Sequence, residues 1–226
     1  MADMPKPKKS NIILIATALI IILVAVVSVT AYYSFPSQTP KPDVVTNFHE
    51  GAWANYSFTS FNSNGTVAHT GNMLASTTRG TYDGKDCWIY VENVSITNLD
   101  GTVADDVFTY YLDTATYTTL HQTETTTSNG VVVYDAAFNP GDANFMDRIA
   151  LLRNMTITAT DKSVTVPAGT FSTTKREGPV TYANRATTFD VTTWASTDIP
   201  TWGVVKDQFY VNGSLCDEYL LTNYGS

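Results

Sequence analysis

The chain has 226 residues with 13 Lys+Arg against 21 Asp+Glu, a formal net charge of −8 at pH 7. Lys6, Lys8, Lys9 and Asp3 precede a long apolar run, so the rest of the chain holds 10 basic residues (13 minus three) and 20 acidic ones (21 minus one), a net of −10. A surface of that sign repels nucleic-acid phosphates and anionic headgroups, which argues against nucleic-acid binding.

Residues 1–10 read as a polar cytoplasmic tail and residues 11–33 as a transmembrane anchor or uncleaved signal. No charged residue lies between Lys9 and Lys41, and 13 of the residues from Ile12 to Val29 are Ile, Leu or Val. Twenty residues at a rise of 1.5 Å span about 30 Å, the hydrocarbon thickness of a bilayer. The lysines before the run keep the N-terminus in the cytoplasm and place the rest outside. A cleaved signal peptide is the competing reading, with Val29-Thr30-Ala31 as the cleavage site; a prepilin-like leader is a third. The anchor and signal-peptide readings both export the C-terminal part, and the expected location is a single-pass cell-membrane protein with its domain outside the cell. Residues 34–47, with Pro36, Pro40 and Pro42, read as an extended spacer.

From residue 48 to 226 the pattern is strand, turn, strand, which predicts one all-β domain. Ala54, Tyr56 and Phe58 alternate with polar residues. Asn64-Gly65, Asp83-Gly84, Asp100-Gly101, Asn129-Gly130 and Asn212-Gly213 are hairpin signals, since a type I′ turn needs positive φ at both central positions. Period-2 runs occur at Cys87–Val91, Val107–Leu112, Tyr117–Thr123, Val131–Phe138, Met155–Ala159, Phe189–Trp194, Val204–Val211 and Leu215–Leu221. The Thr-rich stretch Thr114–Thr127 reads as an exposed strand. About ten or eleven antiparallel strands point to a sandwich or barrel. One segment breaks the pattern: Phe145, Ile149 and Leu152 fall at i, i+4 and i+7 behind Asp142 as N-cap, predicting a short helix over about 142–152, laid as a lid across a sheet or a barrel mouth.

Cys87 and Cys216 permit one disulfide in an exported domain, against two buried reduced thiols. The large aromatics Trp88, Tyr90, Trp194, Trp202 and Phe209 are candidates for the wall of an apolar pocket, against ordinary core packing. Five sequons offer N-glycosylation sites at Asn55, Asn64, Asn93, Asn154 and Asn212, with Asn64 and Asn212 at hairpin tips. The chain carries no nucleophile elbow, P-loop, zinc-protease helix, paired-cysteine motif or dinucleotide turn, and the expectation is no enzyme and no cofactor. His49, His69 and His121 are scattered. Asn98, Asp100, Thr102, Asp105 and Asp106 crowd one hairpin, but their spacing is not that of a calcium loop, and the turn reads as solvated and acidic.

EGAWANY (Glu50–Tyr56) with DGKDCWIYVEN (Asp83–Asn93), VTVPAGTF (Val164–Phe171) and WASTDIPTWGVVK (Trp194–Lys206) together resemble the extracytoplasmic domains of the LolA/LolB-like lipoprotein-carrier superfamily. The resemblance covers most of residues 50–224. It implies a strongly curved antiparallel sheet, an unclosed barrel with helices over its opening, whose concave face holds acyl chains or other apolar ligands. Pro167 and Gly169 suit a turn, Pro200 a strand break, and Gly203 a sharp bend. Unlike the carriers, this chain has no lipobox cysteine after its apolar run, and a tethered domain cannot ferry cargo between membranes unless it is cut free. The expected function is therefore a membrane-anchored domain that binds a lipid or other apolar ligand in the concave face of a curved sheet. The alternative is a structural or adhesive cell-envelope protein, or filament subunit, with no small-molecule site.

Overall fold

The computed structural model describes residues 46–98, 101–142, 145–146, 148–181 and 188–226. The apolar run, the tail before it and nearly all of the Pro-containing spacer lie outside the described residues. No helix among the described residues is long and apolar enough to cross a membrane.

Eleven strands form a single sheet: β1 (Trp53–Phe61), β2 (Val67–Tyr82), β3 (Lys85–Thr97), β4 (Val103–Asp113), β5 (Thr119–Ser128), β6 (Val131–Phe138), β7 (Thr156–Val166), β8 (Gly169–Thr181), β9 (Thr188–Ala195), β10 (Val204–Val211) and β11 (Ser214–Gly225). Their order across the sheet is β6-β5-β4-β3-β2-β1-β11-β10-β9-β8-β7. The chain steps outward from β1 to the edge strand β6, crosses to the opposite edge at β7, and steps back until β11 pairs antiparallel with β1. The sheet is unclosed, as the resemblance implies; the strand pattern alone points to a sandwich or a barrel.

Alternation of side chains produces the core. In β4 the burial pattern is one residue in, one out along the whole strand, with Ala104, Asp106, Phe108, Tyr110 and Leu112 inward. Only one face of such a sheet buries apolar surface, so period-2 patterning is strict where the sheet is tightly packed. Tyr56, Phe58, Tyr90, Phe108, Tyr110, Val205 and Leu221 belong to one continuous core.

The hairpins obey local turn chemistry. Asp83-Gly84, Asn129-Gly130 and Asn212-Gly213 each have positive φ at both residues, the type I′ geometry. Asn64-Gly65 differs. Only Gly65 has positive φ, Asn62 N–H donates to Thr66 O at 2.8 Å, and the register shifts at Ser60/Phe61. That is the longer hairpin with a glycine bulge.

The short helix exists but starts later than its sequence signal. α1 is Arg148–Asn154, seven residues. Asp142 caps a turn rather than the helix, accepting a bond from Asn139 N–H at 2.7 Å through its carboxylate. Asn47 pairs with Thr201 through bonds of 2.8 and 3.0 Å.

The disulfide expected from the sequence is absent; Cys87 and Cys216 are both free thiols. Their strands are separated by β2 and β1, three strand spacings or about 14 Å. They also sit at opposite ends of the sheet. Cys87 opposes Gly80, whereas Asp217, next to Cys216, opposes Ser60, which opposes His69. A disulfide needs Cα atoms within about 7 Å.

Candidate functional site

The inward face of β3, β4 and β5 carries the densest concentration of chemistry. Phe108 stands at its centre and is fully buried. Glu92 on β3 and Glu124 on β5 both oppose it directly. Asp106 and Tyr110 flank it along β4 on the same face. Residues directly opposed in antiparallel strands place their Cβ atoms about 5 Å apart, so Glu92 and Glu124 flank Phe108 from the two neighbouring strands, with Asp106 next along β4 on the same face. Glu92 and Asp106 are 0% exposed and Glu124 is 4% exposed.

Burial dictates the electrostatics here. Withdrawal from water pushes Asp106 up to about 7, with the nearby Thr126 hydroxyl opposing the rise and Asp105 adding to it. Glu124 is also pushed up to about 7, by burial first and by the Asp106 charge second. Glu92 accepts a bond from the Tyr90 hydroxyl at 2.7 Å. Asp106 Oδ1 and Oδ2, Thr126 Oγ1 and Gln122 Nε2 are buried with no well-formed hydrogen bond among the described residues. Gln122 Oε1 accepts from the backbone N–H of Met146 at 3.1 Å, which ties the segment before α1 to β5. The solvated acidic turn expected from the sequence is thus corrected at Asp106, which lies on the inward face.

An aromatic cluster adjoins this patch. Phe48 packs its ring against Trp202 at 4.8 Å, Tyr117 at 5.3 Å, Tyr90 at 5.9 Å and Trp88 at 6.1 Å. Tyr90 continues the contact to Tyr110 at 5.7 Å. Three of the five aromatics singled out in the sequence, Trp88, Tyr90 and Trp202, meet around Phe48. Phe209 is buried elsewhere, against Tyr219 at 5.9 Å. Trp194 does not join them. It stands on the outer face between Lys175 and Lys206, whose ammonium groups lie 5.5 and 5.4 Å from its ring. Nothing in the sequence marks Phe48, because it comes after a Pro-containing spacer and has no period-2 neighbour.

The lid residues are packed down. Phe145 and Ile149 are buried, as is Met146, and Leu152 packs against the core from a half-buried position. Arg153 on α1 donates to Thr116 O at 3.1 Å.

The sequons fall on varied ground. Asn64 and Asn212 are exposed at hairpin tips, Asn93 and Asn154 are exposed, and Asn55 is half-buried within β1. No group of three or more His, Cys, Asp or Glu among the described residues has metal-holding geometry. His121 sits apart from the other histidines, stacked on Tyr82 at 4.7 Å. Cys216 is a poor nucleophile, its thiol pushed up to about 12 by burial and by the neighbouring Asp217 carboxyl.

No protein-family model and no curated protein matches this chain. Among the solved structures similar in backbone are the following two. One is a protein from Bacteroides fragilis NCTC 9343, described as exported and as having a YmcC-like fold. It shares 13% identity, with 81% of this chain and 99% of that one covered, at a TM-score of 0.39. The other, from Parabacteroides distasonis ATCC 8503, is described as a lipoprotein. It shares 16% identity over 82% of this chain and 100% of that one, at a TM-score of 0.42. At TM-scores below 0.5 neither carries a function or a location over to this chain.

Proposed function

We propose that this protein is a membrane-anchored extracytoplasmic domain whose concave face takes up a lipid or other apolar ligand. The anchor is the charge-free run within residues 11–33, and the lysines before it set the orientation. The observation that carries the binding reading is the open side of the sheet. Among the described residues no strand lies between edge strands β6 and β7, and the chain between them contributes buried Phe145, Met146 and Ile149 to the core. A cap held by side-chain packing, with the Met146–Gln122 bond, separates from a sheet at lower cost than a strand held by a full ladder. Phe48, Trp88, Tyr90, Tyr117 and Trp202 form an aromatic group of the kind that lines ligand sites.

Native mass spectrometry of Val44–Ser226, which holds all of the strands, tests this reading. A co-purifying lipid mass, or uptake of a fluorescent fatty acid, is the expected result. A clean apo mass with no uptake overturns it.

A structural envelope role is the second reading. It is favoured by the edge strand β6, where Val131, Val132 and Val133 are 65%, 58% and 52% exposed. An apolar sheet edge of this kind pairs readily with another chain.

A further inference from the structure

Carboxyl groups gathered on the inward face of a sheet demand a physical reason. An ionised carboxylate taken out of water without a counter-charge is strongly destabilised. Asp106 and Glu124 are the two in that position. β4 and β5 contain no Lys or Arg, and the one basic residue of β3, Lys85, is exposed at its start. Arg176 is buried on β8, in the other half of the sheet, and exerts no pull on either acid; the charges that act on the pair are the carboxylates of Asp105 and Asp106. A metal ion does not fit, since no cluster of metal-holding geometry occurs among the described residues. The neighbours of the pair are aromatic: Phe108 opposite Glu124, with Tyr90 and Tyr110 on the same face. Carboxylates beside the face of an aromatic ring bind an organic ammonium, by charge-assisted hydrogen bonds and by the ring quadrupole.

A second observation is independent of the acids. Gln122 is 0% exposed, and its amide nitrogen has no hydrogen-bond partner among the described residues. The amide orientation is fixed, because its oxygen accepts from Met146 N–H. Gln122 lies two residues from Glu124 on the same face of β5 and opposes Tyr110, so its unsatisfied donor belongs to the same patch. A buried donor without an acceptor costs about as much as a lost hydrogen bond, and an oxygen beside a ligand's amine would satisfy it.

We propose that this patch binds the primary-amine head group of an amphipathic ligand, with Asp106 and Glu124 holding the ammonium beside Phe108 and Gln122 donating to a neighbouring oxygen. The inference rests on the reading that the concave face takes up a ligand, and it names the head group. The apolar part of the ligand extends toward Phe48, Trp88 and Trp202, which adjoin the patch through Tyr90. Entry requires the cap to leave Gln122. Asp106 and Glu124, both raised by burial, release protons when an ammonium settles beside them.

The full chain, reconstituted in zwitterionic nanodiscs, is titrated at pH 7 with hexylamine, hexanol and hexanoate, and the signal of empty nanodiscs is subtracted. These three probes share a tail and differ in head group. Hexylamine is expected to bind about tenfold or more tighter than hexanol, with hexanoate weakest. Its binding heat is expected to vary with the buffer's ionisation enthalpy, because protons are released. The double variant Asp106→Asn, Glu124→Gln is expected to lose the amine preference, hexylamine then binding no tighter than hexanol. Hexanoate binding as tightly as hexylamine, or an amine preference that survives in the variant, overturns the head-group inference and leaves apolar binding standing. Failure of all three probes to bind overturns both.

Discussion

At the scale of single residues, the inward-facing acids make stability depend on pH in an unusual direction. Asp106 and Glu124 titrate near 7 in the folded chain, against about 4 when unfolded. Between those values the folded state holds protons that the unfolded state has released. Stability therefore falls as pH rises from about 4 through about 7, and the loss is complete above both values. Asp217, pushed up to about 6 by burial, adds to the same trend. Asp106→Asn removes one such penalty. The variant is expected to be more stable than the parent at pH 8, by roughly 1–3 kcal/mol, and nearly equal at pH 4.5. Urea melts at the two pH values check this, and a parent more stable at pH 8 than at pH 5 would contradict it. Phe108, between the two glutamates, is fully buried. Phe108→Ala is expected to cost about 3–5 kcal/mol at either pH, because a cavity does not titrate.

At the scale of elements, legibility tracks how apolar the inward face is. Strand β4 is readable in the sequence from Val107 to Leu112, where Phe108, Tyr110 and Leu112 alternate with polar residues. β2, at sixteen residues among the longest, leaves no period-2 signal. Its sequence is rich in Thr and contains Gly71 and Gly80, and only Met73, Ala75 and Thr77 are buried. The glycines make sense only in three dimensions. A Cβ at Gly71 would meet Ser95 O of β3 at 2.2 Å, whereas one at Gly80 would meet the flexible end of Ile89 at 2.4 Å. Gly71→Ala is accordingly expected to destabilise by about 1–3 kcal/mol, and Gly80→Ala by clearly less, since a side chain moves and a paired backbone does not. Thermal melts of the two variants side by side test the ordering. β5 looks exposed in sequence because Gln122, Glu124 and Thr126 are polar, and it is these that point inward. Polarity alone does not tell which face a strand buries. The two edges differ as well. β7 is broken by register shifts around Ala159 and by Asp161 at φ 54, features that deter pairing with another chain. β6 has one shift opposite Thr126/Thr127 and leaves three valines bare. Val132→Lys is expected to raise the concentration at which the protein stays monodisperse in light scattering, with no loss of fold.

At the scale of the molecule, connectivity decides what alternation leaves open. Most strands are readable from period-2 runs, and hairpin turns from residues such as Asn129-Gly130 and Asn212-Gly213. That the first strand pairs with the last is not, because a long-range pairing leaves no mark on neighbouring residues. The cysteines show the consequence. In sequence they are two exported thiols, one early and one late, a natural pair. In the sheet, β3 and β11 lie on either side of the β2–β1 pair, and Cys87 and Cys216 sit near opposite ends, on the order of 35 Å apart along the strands. No local rearrangement brings them together. The protein purified without reductant is therefore expected to show two reactive thiols per chain by Ellman titration after unfolding in guanidinium. Its melting temperature is expected to be the same with and without reductant. A mass two hydrogens lighter, or a melting temperature that drops on reduction, would mean a bridge, and with it a strand order different from the one that sets Phe108 among its three carboxyls.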